Sequence, residues 1–138
     1  MTMQLFRARP LAAAVLMGLV FTAACETETL VEQAGGTVTN VTDSLVVAAV
    51  TTTGVAGFQT FELRTTTGRM ILESTTLPTR GTATLAIADA TPRQIFFGDL
   101  QAAQLVTLDP TSQPGTWRVQ LVLENFAGQL AFRIRRAP

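Results

Sequence analysis

Between residues 117 and 135 the chain changes character at every other position. Trp117, Val119, Leu121 and Leu123 alternate with Arg118, Gln120, Val122 and Glu124. After the segment 125–128, Asn-Phe-Ala-Gly, the pattern resumes with Leu130, Phe132 and Ile134 against Ala131, Arg133 and Arg135. Successive side chains of an extended strand point to opposite faces, so a period of two describes a strand with one buried and one wet face. Two such arms around a short glycine-containing segment predict a β-hairpin whose inward residues are core.

The same logic extends backwards through a stretch rich in Thr, Val, Leu, Ile and Phe. Residues 37–42 and 45–51 read as strands, the second apolar on both faces and therefore central. Residues 58–65 carry Phe61 and Leu63 inward and Glu62 and Arg64 outward, with Gly54 and Gly57 as turns before them. Residues 69–74, centred on Met70, Ile71 and Leu72, pair with 58–65 across a turn at 65–68, and Pro78 then breaks the chain. Residues 81–88 alternate through Ala83, Leu85 and Ile87; 94–97 and 105–108 are shorter runs, and Pro110, Pro114 and Gly115 mark the turn into the last pair. No stretch after the leader holds a helical period of apolar residues for more than two turns. About eight short strands without a helix predict an all-β domain, an antiparallel β-sandwich of immunoglobulin-like or jelly-roll type. A small closed β-barrel is the alternative, and strand order stays open. Gly115-Thr116-Trp117 leading into the last pair resembles the closing hairpin of β-sandwich accessory domains on secreted bacterial proteins, including the P-domain of subtilisin-like proteases; that resemblance implies the sandwich and no site residue.

The chain opens differently. Arg7 and Arg9 precede an apolar or small run, residues 11–21, and the small residues Thr22, Ala23 and Ala24 follow before Cys25, the one cysteine. A basic head, about 7–15 apolar residues and a small-residue exit make a secretory signal, here a signal helix over residues 1–24. The run falls short of the roughly 20 residues that span a bilayer. The junction Thr22-Ala23-Ala24-Cys25 resembles the lipobox of bacterial lipoproteins, with threonine at the position where leucine is commonest. The resemblance implies cleavage between Ala24 and Cys25, a diacylglyceryl group on the Cys25 sulfur, and acylation of the new amino terminus. Glu26 after the cysteine implies delivery to the outer membrane. The alternative is an ordinary signal cut after Ala24 that leaves Cys25 a free thiol in a secreted or periplasmic protein. Residues 25–36 read as a lipidated N-terminus and short tether closing on Gly35 and Gly36, with a reach of no more than about 40 Å. Residues 37–138 form the folded domain.

Chemistry is constrained by what is missing. There is no histidine, lysine or tyrosine, which removes Ser-His, Cys-His and Ser-Lys nucleophile systems and nearly all zinc, copper or haem ligation. No cofactor is implied. Removing Arg7 and Arg9 leaves eight arginines against ten carboxylates, a net charge of −2, so no nucleic-acid partner is expected; Arg133, Arg135 and Arg136 read as a solvated strand face. Asp89, Asp99, Asp109 and Glu124 lie at or near loops but are not bracketed as a catalytic pair, and aspartate in a turn caps its own backbone. Threonines at 51–53, 65–67 and 75–76 fit solvent-facing strands.

Two classes of function follow. The first is a membrane-anchored bacterial lipoprotein whose sandwich is a non-catalytic binding or structural module of the cell envelope, docking on an envelope protein or polysaccharide. The second is a secreted or periplasmic solute-binding protein or carboxylate-dependent hydrolase with a loop-formed pocket. For the first, the partner surface is sought at a sheet edge and at Phe96 and Phe97, because adjacent residues of a strand point to opposite faces.

Overall fold

The computed structural model describes residues 29–138. The expected leader, the expected cleavage between Ala24 and Cys25 and the expected lipid attachment at Cys25 lie outside the described residues. A single helical turn, α1 (Leu30–Gln33), is followed by seven strands: β1 (Thr37–Val41), β2 (Ser44–Thr65), β3 (Met70–Ser74), β4 (Leu77–Ala88), β5 (Gln94–Asp99), β6 (Gln104–Thr107) and β7 (Gly115–Arg136). All pairings are antiparallel, in the order β1-β2-β7-β3-β6, with β4 also on β7 and β5 on β4. The fold is an all-β sandwich, as the alternation predicts. One unclosed sheet, folded over on itself, supplies both layers.

The fold-over replaces the expected hairpin at 125–128. β7 runs unbroken through that segment and pairs with β2 from Arg135 opposite Ser44 to Gly115 opposite Thr65. Its buried residues are odd-numbered before the segment (Trp117, Val119, Leu121, Leu123) and even-numbered after it (Leu130, Phe132, Ile134). A change of phase between paired strands needs one of them to carry an extra residue, which is what a bulge does. From the pair Thr51–Gly128 to the pair Gly57–Leu123, β2 advances six residues (51 to 57) and β7 five (128 to 123), with register shifts on either side of Val55; Asn125 at φ 48 and Gly128 at φ 126 lie in β7 at this level. Gly54 and Gly57, read as turns, therefore lie inside β2. β4 is irregular at the same level, between Pro78 and Thr82. Pro78 sits at that bulge within β4 rather than ending the chain's extended path, one of the few strand positions where a missing N–H costs no ladder bond.

One layer comprises β1, the first half of β2, the second half of β7, β3 and β6. The other comprises the second half of β2, the first half of β7, the second half of β4, and β5. Their inward residues form a single core. β3 lies between β7 and β6 and does not pair with residues 58–65. Met70, Ile71 and Leu72 are all buried, as suits a strand covered by neighbours. The free edge of β2 meets the β1–β2 turn instead: Asn40 Nδ2 donates to the Glu62 carbonyl at 3.0 Å and the Asp43 N–H to the Arg64 carbonyl at 2.8 Å. β2 is central between β1 and β7, but its outward Ala48 and Val50 face solvent. Where β3 passes to β4, the buried Thr76 hydroxyl donates to the Ala131 carbonyl and accepts from the Ala131 N–H, both at 3.1 Å.

Residues 29–36, read as part of a tether, are packed. Thr29 and Glu32 form a capping box: the Thr29 hydroxyl accepts from the Glu32 N–H at 3.3 Å, and Glu32 Oε1 accepts from the Thr29 N–H at 3.1 Å. The turn buries Leu30, Val31 and Ala34, and the Val31 N–H donates to Gln59 Oε1 at 3.0 Å.

Candidate functional site

The acids at the loops are used by the loops. Asp89-Ala-Thr91 and Asp109-Pro-Thr111 repeat one motif: each Asp Oδ1 accepts from the N–H and hydroxyl of the threonine two residues on, at 3.0 and 2.6 Å for Asp89 and 2.9 and 2.7 Å for Asp109. Arg93 joins the two turns, with Nη1 3.0 Å from Asp109 Oδ2 and Nη2 3.7 Å from Asp89 Oδ2. The buried Asp89 carboxylate also accepts from the N–H groups of Arg93 and Gln113. The Thr91 hydroxyl and the Gln113 amide hold Asp89 far below the usual carboxylate range, and the Thr111 amide and hydroxyl lower Asp109. A general acid needs the opposite shift. These residues brace the β4–β5 turn against the segment entering β7.

Asp99 accepts from the Thr84 hydroxyl at 3.0 Å and Glu124 from the Thr82 hydroxyl at 3.5 Å. They lie on strands to either side of β4. Four surface depressions among the described residues measure about 160–260 Å³, and none of these four is lined by both acids. Small-molecule sites usually enclose roughly 300–1,000 Å³. Among the described residues no group of three or more His, Cys, Asp or Glu is placed to hold a metal ion.

The C-terminal arginines are each paired with a carboxylate, two of them sharing one. On the outer face of the first layer, Glu73 Oε1 accepts from Arg133 Nε and Nη2 at 2.9 and 2.6 Å, and Oε2 from Arg135 Nη2 at 2.8 Å. Arg136 Nη1 lies 3.8 Å from Asp43 Oδ2. The Arg135 and Arg133 hydrogen bonds take Glu73 from its ordinary 4.5 to about 2. A carboxylate lowered by folding contributes stability above its unfolded value, and the contribution is lost as pH falls through the folded one. The melting temperature should therefore fall steadily from pH 4.5 to about 2, and Glu73→Gln should flatten that part of the curve. A melting temperature constant over that window would contradict the assignment. Asp89 and Asp109 act with the same sign.

What remains is surface. Phe96 and Phe97 point apart: Phe96, opposite Ile87, is half-buried against the core, and Phe97, opposite Ala86, is 66% exposed on the outer face of β5. At the far edge of the same four-stranded layer, Phe58 on β2 is 67% exposed. The sequence marks it only as one more outward strand position. β1 is a free edge, Thr-Val-Thr-Asn-Val, exposed at all five residues and without charge or proline. Such edges are usually blunted, and an unblunted one is a template for an added strand. Beside it Val46, Ala48, Ala131 and Thr75 floor a shallow apolar depression of about 250 Å³.

No protein-family model matches this chain, and no curated protein matches it significantly. Any reading of function rests on these surfaces and on the leader.

Proposed function

We propose that the chain is a lipid-anchored lipoprotein of the bacterial outer membrane, attached through Cys25, whose sandwich is a non-catalytic binding or structural module for an envelope protein or polysaccharide. The observation that carries this reading is the junction of a basic, apolar leader with the chain's one cysteine, since two or more acyl chains give stable membrane attachment. The engagement of Asp89 and Asp109 within their own turns and the small size of the depressions support a module that binds by its surface. Phe97 on β5 and the β1 edge are the surfaces offered to a partner.

The test is the intact mass of the full-length chain expressed in a Gram-negative host and recovered from membranes. The expected species begins at Cys25 and carries a diacylglyceryl group and one further acyl chain. An unmodified chain beginning at Cys25 in the soluble fraction would overturn the anchor and leave a secreted domain with a free thiol.

A further inference from the structure

We propose that the outer face of the four-stranded layer binds an uncharged polysaccharide strand, laid in the groove that runs along β4. This rests on the reading of the sandwich as a module that binds by its surface, and it does not depend on the anchor.

The groove follows from the ladder. On the outer face of β4 positions 86 and 88 are alanines, and longer residues flank each of them: Ala86 lies between Gln120 on β7 and Phe97 on β5, and Ala88 between Arg118 and Gln94. Short side chains on the middle strand leave a trough whose walls are two strand spacings, about 10 Å, apart. Two depressions lie end to end along it. One of about 160 Å³ sits over Ala86 and Ala88, and the next, of about 220 Å³, reaches Ala90, Pro92 and Glu62; Ala88 and Arg118 line both. At the other end Asp99 takes the Thr84 hydroxyl at 3.0 Å. The shape suits a chain rather than a compact solute.

The lining selects the kind of chain. Among the described residues the Gln94 and Gln120 amides and the Arg118 guanidinium make no hydrogen bond or ion pair, whereas Arg133, Arg135 and Arg136 of the other layer are all paired. Such planar groups present donors and acceptors side by side, which matches the neighbouring hydroxyls of a sugar. Glu62 stands opposite Arg118 in the β2–β7 ladder, so this end carries no net charge to draw an acidic polymer. The exposed Phe97 ring offers its negative face to the C–H side of a sugar ring. A peptide strand fits poorly, because the β4 backbone here is already paired with β5 and β7 and has no ladder left to extend. An apolar partner would strip the free amides and guanidinium of water without replacing it.

The test presents the full-length chain, purified in detergent and checked by intact mass, to immobilised neutral polysaccharides (a β-glucan, a galactomannan, a dextran) and acidic ones (alginate, hyaluronate). Thermal melting verifies that each variant keeps its fold. The expected result is binding to a neutral polysaccharide, weakened about tenfold or more by Phe97→Ala and abolished by Ala86→Leu, which raises the groove floor. Phe58→Ala is the control, an equally exposed ring on the same face but outside the groove, and should leave binding unchanged. Binding to acidic polysaccharides alone, binding to none, or equal effects of Phe97→Ala and Phe58→Ala would overturn the groove. In a chain of lipidated mass, those results leave the anchored surface module standing. Release of reducing ends from a polysaccharide bound through Phe97 would support the groove and overturn the non-catalytic reading instead.

Discussion

Replacing Trp117 with alanine is expected to lower the stability of the domain by about 3–5 kcal/mol, the usual cost of deleting a large buried aromatic. Trp117 is fully buried, opposite Leu63 in the β2–β7 ladder, and its indole Nε1 donates to the Gln113 carbonyl at 2.7 Å. The ring thus fills the core and anchors the segment that leads into β7. Since domains are stable by only roughly 5–15 kcal/mol, the variant should be partly unfolded at moderate temperature. Urea titration followed by circular dichroism reads the effect without using the lost fluorophore. Trp117→Phe separates the two contributions: it keeps most of the volume and loses the hydrogen bond, at a cost of about 1–2 kcal/mol. A cost below ~1 kcal/mol for the alanine variant would mean that the ring does not seal the core.

The second large effect is expected at the fold-over. Gly128 has φ 126, a region that residues with a side chain rarely adopt, and a Cβ there would overlap the Leu77 carbonyl and lie 2.7 Å from the Thr79 nitrogen and 3.0 Å from the Pro78 Cα. All three are backbone atoms of β4, so nothing can rotate aside. Gly128→Ala should cost about 2–4 kcal/mol from strain and displaced pairing together. At about 4–8 °C per kcal/mol for a domain near this size, the melting temperature should drop by at least roughly 10 °C. Gly98→Ala on β5 is the matched control, because its new methyl would meet only the Phe96 ring, at 3.6 Å. If the two variants melted together, the bend would not depend on the backbone conformation at 128.

How far the sequence reveals this fold is clearest at the same place. Each inward residue of the alternating arms, from Trp117 to Ile134, is buried, and so are Phe61, Leu63, Ala83, Leu85 and Ile87. Burial is written locally, in the period. The role of 125–128 is not: a hairpin turn and a strand bulge both use asparagine and glycine at positive φ. What decides is that β2 and β4 both run alongside β7 past this level, a fact about residues far away in the chain. The pairing of β3 with β6 and β7 was hidden for the same reason. α1 was legible in principle, since Thr29-x-x-Glu32 is a capping-box signature, but four residues are too few to show a helical period. At the loops, the turn-capping use of Asp89 and Asp109 could be read from the Asp-x-Thr spacing. The division of Phe96 from Phe97 follows from strand geometry.

The position of β7 in the chain carries a consequence for the order of events during folding. It is the strand on which β2, β3 and β4 all pair, and among the described residues every other strand precedes it in sequence. Before its residues are available, only the β1–β2 and β4–β5 hairpins and the β3–β6 pair can form, and isolated two-stranded units are marginal in water. The chain therefore has little to fold around until synthesis has passed Gly115, and the long-range ladders that then form are intrinsically slow.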